Sequence, residues 1–200
     1  MEVIPFTHLK DWLSAAEADA LLAKLEARSD WTQGRIRMFG REIPEPRLTF
    51  FEGDPGVRYT YAHRSLEGQG WSPELEALRD RFASDFGIRT NTVLANLYRD
   101  GQDSMGWHRD NEPELGPDPL VVSLSLGATR DFDVRRDADK WTHRFALGHG
   151  DLLLMGSESQ TNWTHSIPKR LKISSLRINL TFRQAFEHNL RQSSCCLLNL

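Results

Sequence analysis

Two histidines and one aspartate in this chain have the types and spacing of ligands for a transition metal. His108 and Asp110 stand two residues apart, and 54 residues separate Asp110 from His165. Two imidazoles and one carboxylate form the facial triad of non-heme Fe(II) oxygenases, which leaves coordination positions open for a co-substrate and dioxygen. A His-x-Asp pair is common by chance. A zinc-filled or inactive binding module is therefore an alternative, although no fourth zinc ligand is evident.

A second motif offers partners for a dicarboxylic acid. The segment 176–183 alternates apolar and polar residues, and a period of two places the polar set on one face of a strand. That set is Arg177, Asn179, Thr181 and Arg183. The guanidinium fork matches a carboxylate in two parallel hydrogen bonds, as the remote carboxylate of 2-oxoglutarate requires. Asn96 and Tyr98 could donate further hydrogen bonds to the same diacid. The alternative is a strand whose polar face contacts water or is satisfied by the backbone.

Two helices and a series of short strands must position these residues. A capping box at Ser14 predicts a helix over 15–28, and Ser72-Pro73 begins a second helix with Gly87 as its C-cap. Arg35–Phe39 and Arg47–Phe51 flank a Gly/Pro-rich connection, which predicts a hairpin or paired loop. This order of elements predicts an α+β fold with a jelly-roll core. The other predicted strands are Arg58–Ala62, Thr92–Tyr98, Leu120–Leu126, Asp131–Arg135, His143–Leu147, Leu152–Met155 and Ile173–Arg183.

Length and charge constrain the class of protein. A chain of 200 residues fits a single domain, 1–200, and its net charge of −3 predicts no global attraction to nucleic acid. Binding to nucleic acid would therefore need a local basic surface. One candidate is the acid-free segment that carries Lys169, Arg170, Lys172, Arg177 and Arg183. The other comprises Arg35, Arg37, Arg41 and Arg47, diluted by Glu42 and Glu45.

The remaining composition favours an intracellular protein. Cys195 and Cys196 are the only cysteines, and neighbours in sequence offer no disulfide framework or cysteine-zinc site. The sequence shows no signal peptide and no apolar run near the ~20 residues that span a bilayer. We therefore expect a cytoplasmic protein, or a nuclear one in a eukaryote, without membrane contact. His149 lies in a turn and could reach a site, whereas the others are expected to be structural or on the surface: His8, His63, His143 and His188.

The two motifs together resemble the AlkB family of Fe(II)- and 2-oxoglutarate-dependent dioxygenases. The resemblance runs from about Arg35 to Arg183 and rests on Asn96-Leu-Tyr98, His108-Arg-Asp110, His165 and Arg177-Ile-Asn179-Leu-Thr181-Phe-Arg183. It implies a double-stranded β-helix, a jelly-roll variant, with N-terminal helices packed on one sheet. It also implies nucleotide-recognition hairpins over about 31–66, a catalytic core over about 90–185 and a tail over 186–200.

The resemblance also implies cofactors, and these would be Fe(II), 2-oxoglutarate and O2. His108, Asp110 and His165 would bind the iron. Arg177 would bind the remote carboxylate of 2-oxoglutarate and Arg183 would lie nearer its iron-bound end. The remaining 2-oxoglutarate residues would be Asn96, Tyr98 and, assisting, Asn179. Because imidazole ligands must be neutral, we expect activity to be lost below about pH 6.

Parts of the sequence resemble the double-strand DNA repair branch of that family. The segment 100–112 and the segment Gly127–Phe132 carry this likeness. In that branch a hairpin presents an apolar finger that ends in Phe-Gly, followed by an arginine, and the matching residues are Met38, Phe39, Gly40 and Arg47. A base must leave the duplex before it can be oxidised, and an apolar wedge can fill the gap. The alternative is that Met38 and Phe39 belong to the core of a hairpin.

Three further residues match the base pocket of that branch. Tyr59 and Tyr61 align with its aromatic pair, although they could also be ordinary strand aromatics, and Glu112 matches an acidic residue near the base. The chain departs from the branch at Tyr61, where phenylalanine is usual, and at Asn111, which replaces an acid. The implied activity is oxidative demethylation of 1-methyladenine or 3-methylcytosine in DNA by a monomer, with release of formaldehyde. RNA, protein and small molecules are the alternative substrates.

Overall fold

The computed structural model describes residues 4–38, 40–61 and 64–186. The helices are α1 (Ala15–Glu26) and α2 (Pro73–Phe86), and a 3-10 turn covers Pro113–Leu115. The strands are β1 (Phe6–Leu9), β2 (Arg35–Met38), β3 (Arg41–Pro44), β4 (Leu48–Gly53), β5 (Arg58–Tyr61), β6 (Arg64–Glu67), β7 (Thr92–Tyr98), β8 (Met105–His108), β9 (Val121–Gly127), β10 (Arg130–Arg136), β11 (Thr142–Leu147), β12 (Leu152–Met155), β13 (Trp163–Ile167) and β14 (Arg177–Arg183).

Two antiparallel sheets form the centre of the molecule. The larger sheet has the order β1-β12-β9-β14-β7-β4, and the smaller has the order β11-β10-β13-β8. Apolar residues from both sheets pack into one buried cluster, which includes Val121 and Leu153 from the larger sheet and Phe132, Phe145 and Trp163 from the smaller. The two sheets therefore lie face to face, as the jelly-roll prediction requires, and the described residues show no closed barrel.

Both helices pack on the outer face of the larger sheet. Leu25 from α1 and Phe82 from α2 belong to the same buried cluster as Ile178, Leu180 and Phe182 of β14. The apolar half of β14 therefore lies under the helices, and its polar half faces the smaller sheet. This arrangement confirms the α+β class and the helices packed on one sheet. It also shows that neither face of β14 is exposed to solvent, because all seven of its residues are buried.

Several predicted elements are confirmed with small changes of boundary. β7 and β12 have the predicted bounds, and the first helix ends at Glu26 rather than at residue 28. The last strand begins at Arg177 rather than Ile173. Five strands were not predicted: β1, β3, β6, β8 and β13. No helix in the described ranges combines the length and apolarity needed to cross a bilayer.

The predicted pairing of the first two strands is wrong. β2 pairs with β3, which lies inside the segment expected to be a connection, and Gly40 turns the hairpin with a φ of 77°. The strand predicted as Arg47–Phe51 is β4, which begins at Leu48 and pairs with β7 in the larger sheet. A second hairpin joins β5 to β6. Each hairpin is a separate two-stranded sheet at the side of the two large ones.

Candidate metal centre and co-substrate pocket

The three proposed metal ligands converge at one point in the structure. His108 ends β8, Asp110 follows two residues later, and His165 lies directly opposite His108 on β13. One ligand atom from each residue can be chosen so that all three lie within 4.8 Å of one another. His108 Nε2 is 3.9 Å from Asp110 Oδ1, and the two imidazole rings have centroids 4.2 Å apart. This donor set and spacing fit a divalent transition metal with open coordination positions.

Neighbouring groups fix the orientation of these ligands. His108 Nδ1 donates a hydrogen bond to the carbonyl oxygen of Gly106 at 2.9 Å, which leaves Nε2 as the free electron pair. Gln160 Oε1 accepts a 2.8 Å hydrogen bond from the backbone N–H of Asp110. The ring of Phe132 stacks on His165, with centroids 5.1 Å apart. Hydrogen bonds therefore fix the His108 ring and the Asp110 backbone, and packing against Phe132 fixes the His165 ring.

The charge states of the triad also suit a cation. Burial lowers the pKa of His165 to about 3, so this imidazole is neutral over the physiological range. Burial likewise lowers the pKa of His108. Burial by itself would raise the pKa of Asp110, but the positive charge of Arg183, together with the imidazoles, holds it at about 2. The site therefore offers two neutral nitrogen donors and one carboxylate anion.

Arg183 contacts the triad directly. Its Nη2 and Nε donate to Asp110 Oδ2 at 2.8 and 3.2 Å, and Nη1 donates to the carbonyl of Thr181 at 3.2 Å. The side chains of Arg183 and Asp110 are both buried. Arg183 therefore lies at the triad, and its hydrogen bonds there go to a proposed metal ligand and to the backbone; its contact with the iron-bound end of 2-oxoglutarate, which the resemblance implies, stays a prediction.

Arg177 lies at the opposite end of β14 and is in a different electrostatic situation. Its side chain is 1% exposed, and Nη2 donates to Ser125 Oγ at 2.8 Å. Nε and Nη1 are buried without hydrogen-bond partners, and no acid pairs with it in the part of the chain that the structure describes. Burial lowers its pKa to about 10. Because an isolated buried cation is costly, this unpaired guanidinium fits the carboxylate of a bound dianion.

Asn96, Tyr98 and Asn179 line the same pocket as the triad, but they differ in whether their polar groups are already hydrogen-bonded. Asn96 and Tyr98 line the pocket that also contains the triad and Arg183. The Tyr98 ring lies 5.5 Å from the Arg177 guanidinium. Asn179 also lines the pocket, yet its amide nitrogen donates to Ser123 Oγ at 2.8 Å and to the carbonyl of Leu124. Asn179 is thus engaged in joining β14 to β9, and its assisting role toward 2-oxoglutarate stays a prediction.

Tyr59 and Tyr61 form a wall beside the triad. Both point inward from β5 and are buried, and their rings are nearly parallel with centroids 6.4 Å apart. The guanidinium of Arg183 lies 5.7 Å from the Tyr59 ring centroid. Glu112 begins the 3-10 turn after Asp110, and burial and the Asp110 charge raise its pKa. The three predicted base-pocket residues therefore gather at the same side of the metal site.

The hairpin residues divide into two groups. Met38 and Gly40 belong to the β2–β3 hairpin, and Phe39 lies outside the described residues. Arg47 lies away from the hairpin tip and is 5% exposed, with hydrogen bonds to Asn96 and Tyr61. The prediction that Arg47 belongs to a basic surface is therefore wrong, because its guanidinium is inside the protein. Arg177 and Arg183 are also buried, so they do not belong to the other predicted basic surface.

Some residues of the site could not be identified from the sequence. Arg130 is 1% exposed and donates to the carbonyls of Asp100, Asp103 and Pro168 at 2.8 to 2.9 Å, so that it ties two loops together beside Tyr98. A single arginine in a strand gives no signal of such a role. His149 does not reach the site, since its Nδ1 accepts from the Gly127 N–H and its Nε2 lies 3.1 Å from an Asp19 oxygen.

Comparison with known proteins supports the same assignment. The sequence profile of the 2OG-Fe(II) oxygenase superfamily matches residues 5–183. The human protein named DNA oxidative demethylase ALKBH2 is 38% identical over 180 residues, which cover 84% of this chain and 69% of that protein. The bovine protein of the same name is 39% identical, with 84% and 65% covered. The human alpha-ketoglutarate-dependent dioxygenase alkB homolog 3 is 35% identical over 185 residues, with 88% and 64% covered.

The chain thus spans about two thirds of the length of these relatives. A solved structure, titled "The structure of OsALKBH1", superposes with a TM-score of 0.60 at 20% identity and covers 92% of this chain and 100% of the other. That likeness concerns the fold. Taken with the matched profile and the relatives, the geometry of the triad and the unpaired Arg177 identify the resident cofactors as Fe(II) and 2-oxoglutarate. The chain belongs to the AlkB family of Fe(II)- and 2-oxoglutarate-dependent dioxygenases.

Proposed function

We propose that this protein removes alkyl groups oxidatively from nucleobases in DNA, acting on lesions of the 1-methyladenine and 3-methylcytosine type. The observation that carries the proposal is the position of the tyrosine wall. Tyr61 lines the pocket at the triad and Tyr59 stacks beside it, so we infer that a flat aromatic substrate lies against this wall with its alkyl group toward the metal. The relatives named as DNA oxidative demethylases support the same reaction.

Iron and 2-oxoglutarate would supply oxidation of the alkyl carbon by O2, which releases formaldehyde from the base nitrogen. The protein's own residues would hold the metal and 2-oxoglutarate and orient them. His108, Asp110 and His165 provide the metal face, and Arg183 keeps the carboxylate of Asp110 ionised and turned toward the imidazoles. Arg177 would neutralise the remote carboxylate of 2-oxoglutarate. Burial of this site excludes water, which strengthens each of these electrostatic contacts.

The pocket favours a base that has left its stack. A planar base gains about 1–3 kcal/mol from stacking on an aromatic side chain. That energy offsets part of the few kcal/mol that extrusion from a duplex costs. Glu112 lies near Asp110, and burial raises the pKa of its carboxyl group, so we infer that it meets a polar edge of the base. We propose DNA as the substrate because the finger residues 38–40 resemble those of the duplex-repair branch.

The deciding experiment measures formaldehyde release from oligonucleotides that carry one 1-methyladenine or 3-methylcytosine. Single-stranded DNA, duplex DNA and RNA of the same sequence are compared with unmethylated strands. We expect release from methylated DNA, and none from an Asp110→Asn variant. Release from RNA alone would replace DNA with RNA in the proposal. Succinate formation without formaldehyde from any strand would instead indicate a protein or small-molecule substrate.

A further inference from the structure

Arg47 makes contacts inside the pocket that a surface DNA-binding arginine would not make. Its Nε donates to the side-chain oxygen of Asn96 at 2.9 Å, and its Nη2 donates to the Tyr61 hydroxyl at 2.6 Å. Nη2 also lies 3.4 Å from a carboxylate oxygen of Glu45, which is completely buried. Arg47 thus connects the segment that follows the β2–β3 hairpin to two residues that line the pocket.

These contacts decide how the Asn96 amide is oriented. A guanidinium has only N–H donors, so the oxygen of the amide must be the atom that faces Arg47. The amide nitrogen is then turned away, and it has no hydrogen-bond partner among the described residues. Because Asn96 lines the pocket that contains the triad, this NH2 group can donate to an anionic oxygen there. An amide without this constraint could present its oxygen instead, which would repel the anion.

We propose that Arg47 is a positioning residue for the co-substrate: it fixes the Asn96 amide as a hydrogen-bond donor toward bound 2-oxoglutarate. This inference rests on the proposed function, since it concerns the co-substrate of that reaction. The geometry supplies acceptors for Nε and Nη2 of Arg47, and it leaves the Asn96 nitrogen without a partner among the described residues. Arg47 acts through Asn96, and its effect is on affinity for the diacid.

Tyr61 adds a contact to this arrangement that a phenylalanine in its place would not supply. The related branch usually has phenylalanine here, and phenylalanine offers no acceptor to Nη2. In this chain the Tyr61 oxygen accepts from Arg47 and holds the guanidinium in the plane needed to reach Asn96. Tyr61→Phe therefore removes one of the contacts that hold Arg47 while it keeps the ring, which lies in the wall beside Tyr59.

The test measures affinity for 2-oxoglutarate by calorimetry on the Mn(II)-loaded protein, without any nucleic acid. We expect Arg47→Met to weaken affinity by about ten- to hundredfold, the usual effect of a lost hydrogen bond to a charged group. We expect Asn96→Asp to do the same, because a carboxylate still accepts from Arg47 but offers no donor. Tyr61→Phe should weaken affinity by about two- to fivefold. In each variant the affinity for Mn(II) should stay within twofold of the parent.

The matched control is Arg64→Met. Arg64 also lies 3.4 Å from a Glu45 oxygen. It faces Tyr61 across the β5–β6 hairpin, but among the described residues its guanidinium makes no hydrogen bond to Tyr61 or Asn96. We expect its affinity for 2-oxoglutarate to equal that of the parent. If Arg47→Met lowers resistance to urea but binds 2-oxoglutarate like the parent, the role is structural only and the inference is overturned. If Arg47→Met does not fold, Asn96→Asp and Tyr61→Phe decide, and parent-like affinity in both overturns it.

Failure of this inference and failure of the proposed function give different experimental results. A protein that binds 2-oxoglutarate with the expected pattern of variants but releases no formaldehyde from DNA would support Arg47 as a positioning residue and contradict DNA demethylation. A parent protein that binds no 2-oxoglutarate would overturn both. Arg47→Met, Asn96→Ala and the corresponding double variant give an independent check, because two changes that act through one amide should be no worse together than Asn96→Ala alone.

Discussion

Arg183 donates two hydrogen bonds to a single carboxylate oxygen of Asp110, at 2.8 and 3.2 Å, and both side chains are almost fully excluded from water. The other oxygen of Asp110 lies 3.9 Å from His108 Nε2. One oxygen thus belongs to the guanidinium and the other is left for the metal. The Asp110 carboxylate is therefore shared between the Arg183 guanidinium and the metal position.

Replacing Arg183 should damage both stability and metal binding. Arg183→Met leaves the Asp110 carboxylate buried without its partner, and breaking such a pair typically costs about 3–5 kcal/mol of unfolding free energy. Affinity for Mn(II) should also fall by about ten- to hundredfold, because the ligand loses its orientation. Urea unfolding and calorimetry measure the two effects. Arg183→Met/Asp110→Asn should recover part of the stability, and parent-like values in the single variant would contradict the pairing.

Replacing Arg177 should spare the stability of the ligand-free protein and weaken the binding of 2-oxoglutarate. This guanidinium is buried with two nitrogens unpaired, so Arg177→Met removes an uncompensated charge and should leave the unfolding free energy of the ligand-free protein unchanged or higher. Affinity for 2-oxoglutarate should fall by at least about a hundredfold, since a charge-assisted bidentate contact is lost. The same urea and calorimetry measurements apply. A large loss of stability with normal 2-oxoglutarate binding would show that Arg177 serves the fold instead.

Metal binding should persist at lower pH than the sequence predicts. An imidazole with the ordinary pKa near 6.5 loses about tenfold in metal affinity for each pH unit below that value. Burial lowers the pKa of His165 to about 3, so this imidazole stays neutral below pH 6, and burial also lowers the pKa of His108 from its ordinary value. We expect Mn(II) affinity to fall by less than about tenfold between pH 7 and pH 5.5.

The quantity that decides this experiment is the slope of Mn(II) affinity against pH. Two unshifted imidazoles would give a loss approaching a hundredfold at pH 5.5. A measured loss of that size would contradict the lowered pKa values. It would also restore the expectation, drawn from the sequence, that activity ends near pH 6.

Phe39 provides a prediction that depends on the sequence, because it lies outside the described residues. If its ring fills the gap left by a flipped base, Phe39→Ala should reduce formaldehyde release from a methylated duplex by about tenfold or more. Release from the same methylated single strand should change less than about twofold, since no stack needs to be opened. Ile43→Ala is the matched control, because Ile43 is an exposed apolar residue on the same hairpin. Equal losses in both variants would contradict a wedge.

The metal site was predictable from residue types and spacing, but the strands that carry its histidines were not. β13 contains His165 and Ser166 as buried neighbours on opposite faces, so it shows no apolar and polar alternation. β8 is a four-residue edge strand with Gly106 in it, and its length gives no periodic signal. β14 was predictable because its two faces differ in chemistry along seven residues.

The roles of the arginines around the pocket could not be predicted from the sequence either. Arg177 and Arg183 look equivalent in the sequence, yet one is unpaired and the other binds Asp110, because they lie at opposite ends of β14 beside different neighbours. Arg47 looks like part of a basic surface. Its burial follows from Glu45, Tyr61 and Asn96, which meet it only because β5 and β7 pack against the segment between β3 and β4.

The separateness of the two hairpins has a consequence for how this protein can change. β14 is hydrogen-bonded on both edges and covered on both faces, so substitutions on its polar face disturb the oxidation machinery directly and those on its apolar face disturb the packing under it. The β2–β3 and β5–β6 ribbons pair only with themselves, so at positions other than Tyr59 and Tyr61 they can vary in length or sequence without breaking a ladder of the central sheets. New lesion preferences should accordingly arise in these two ribbons, while the reaction itself is inherited unaltered.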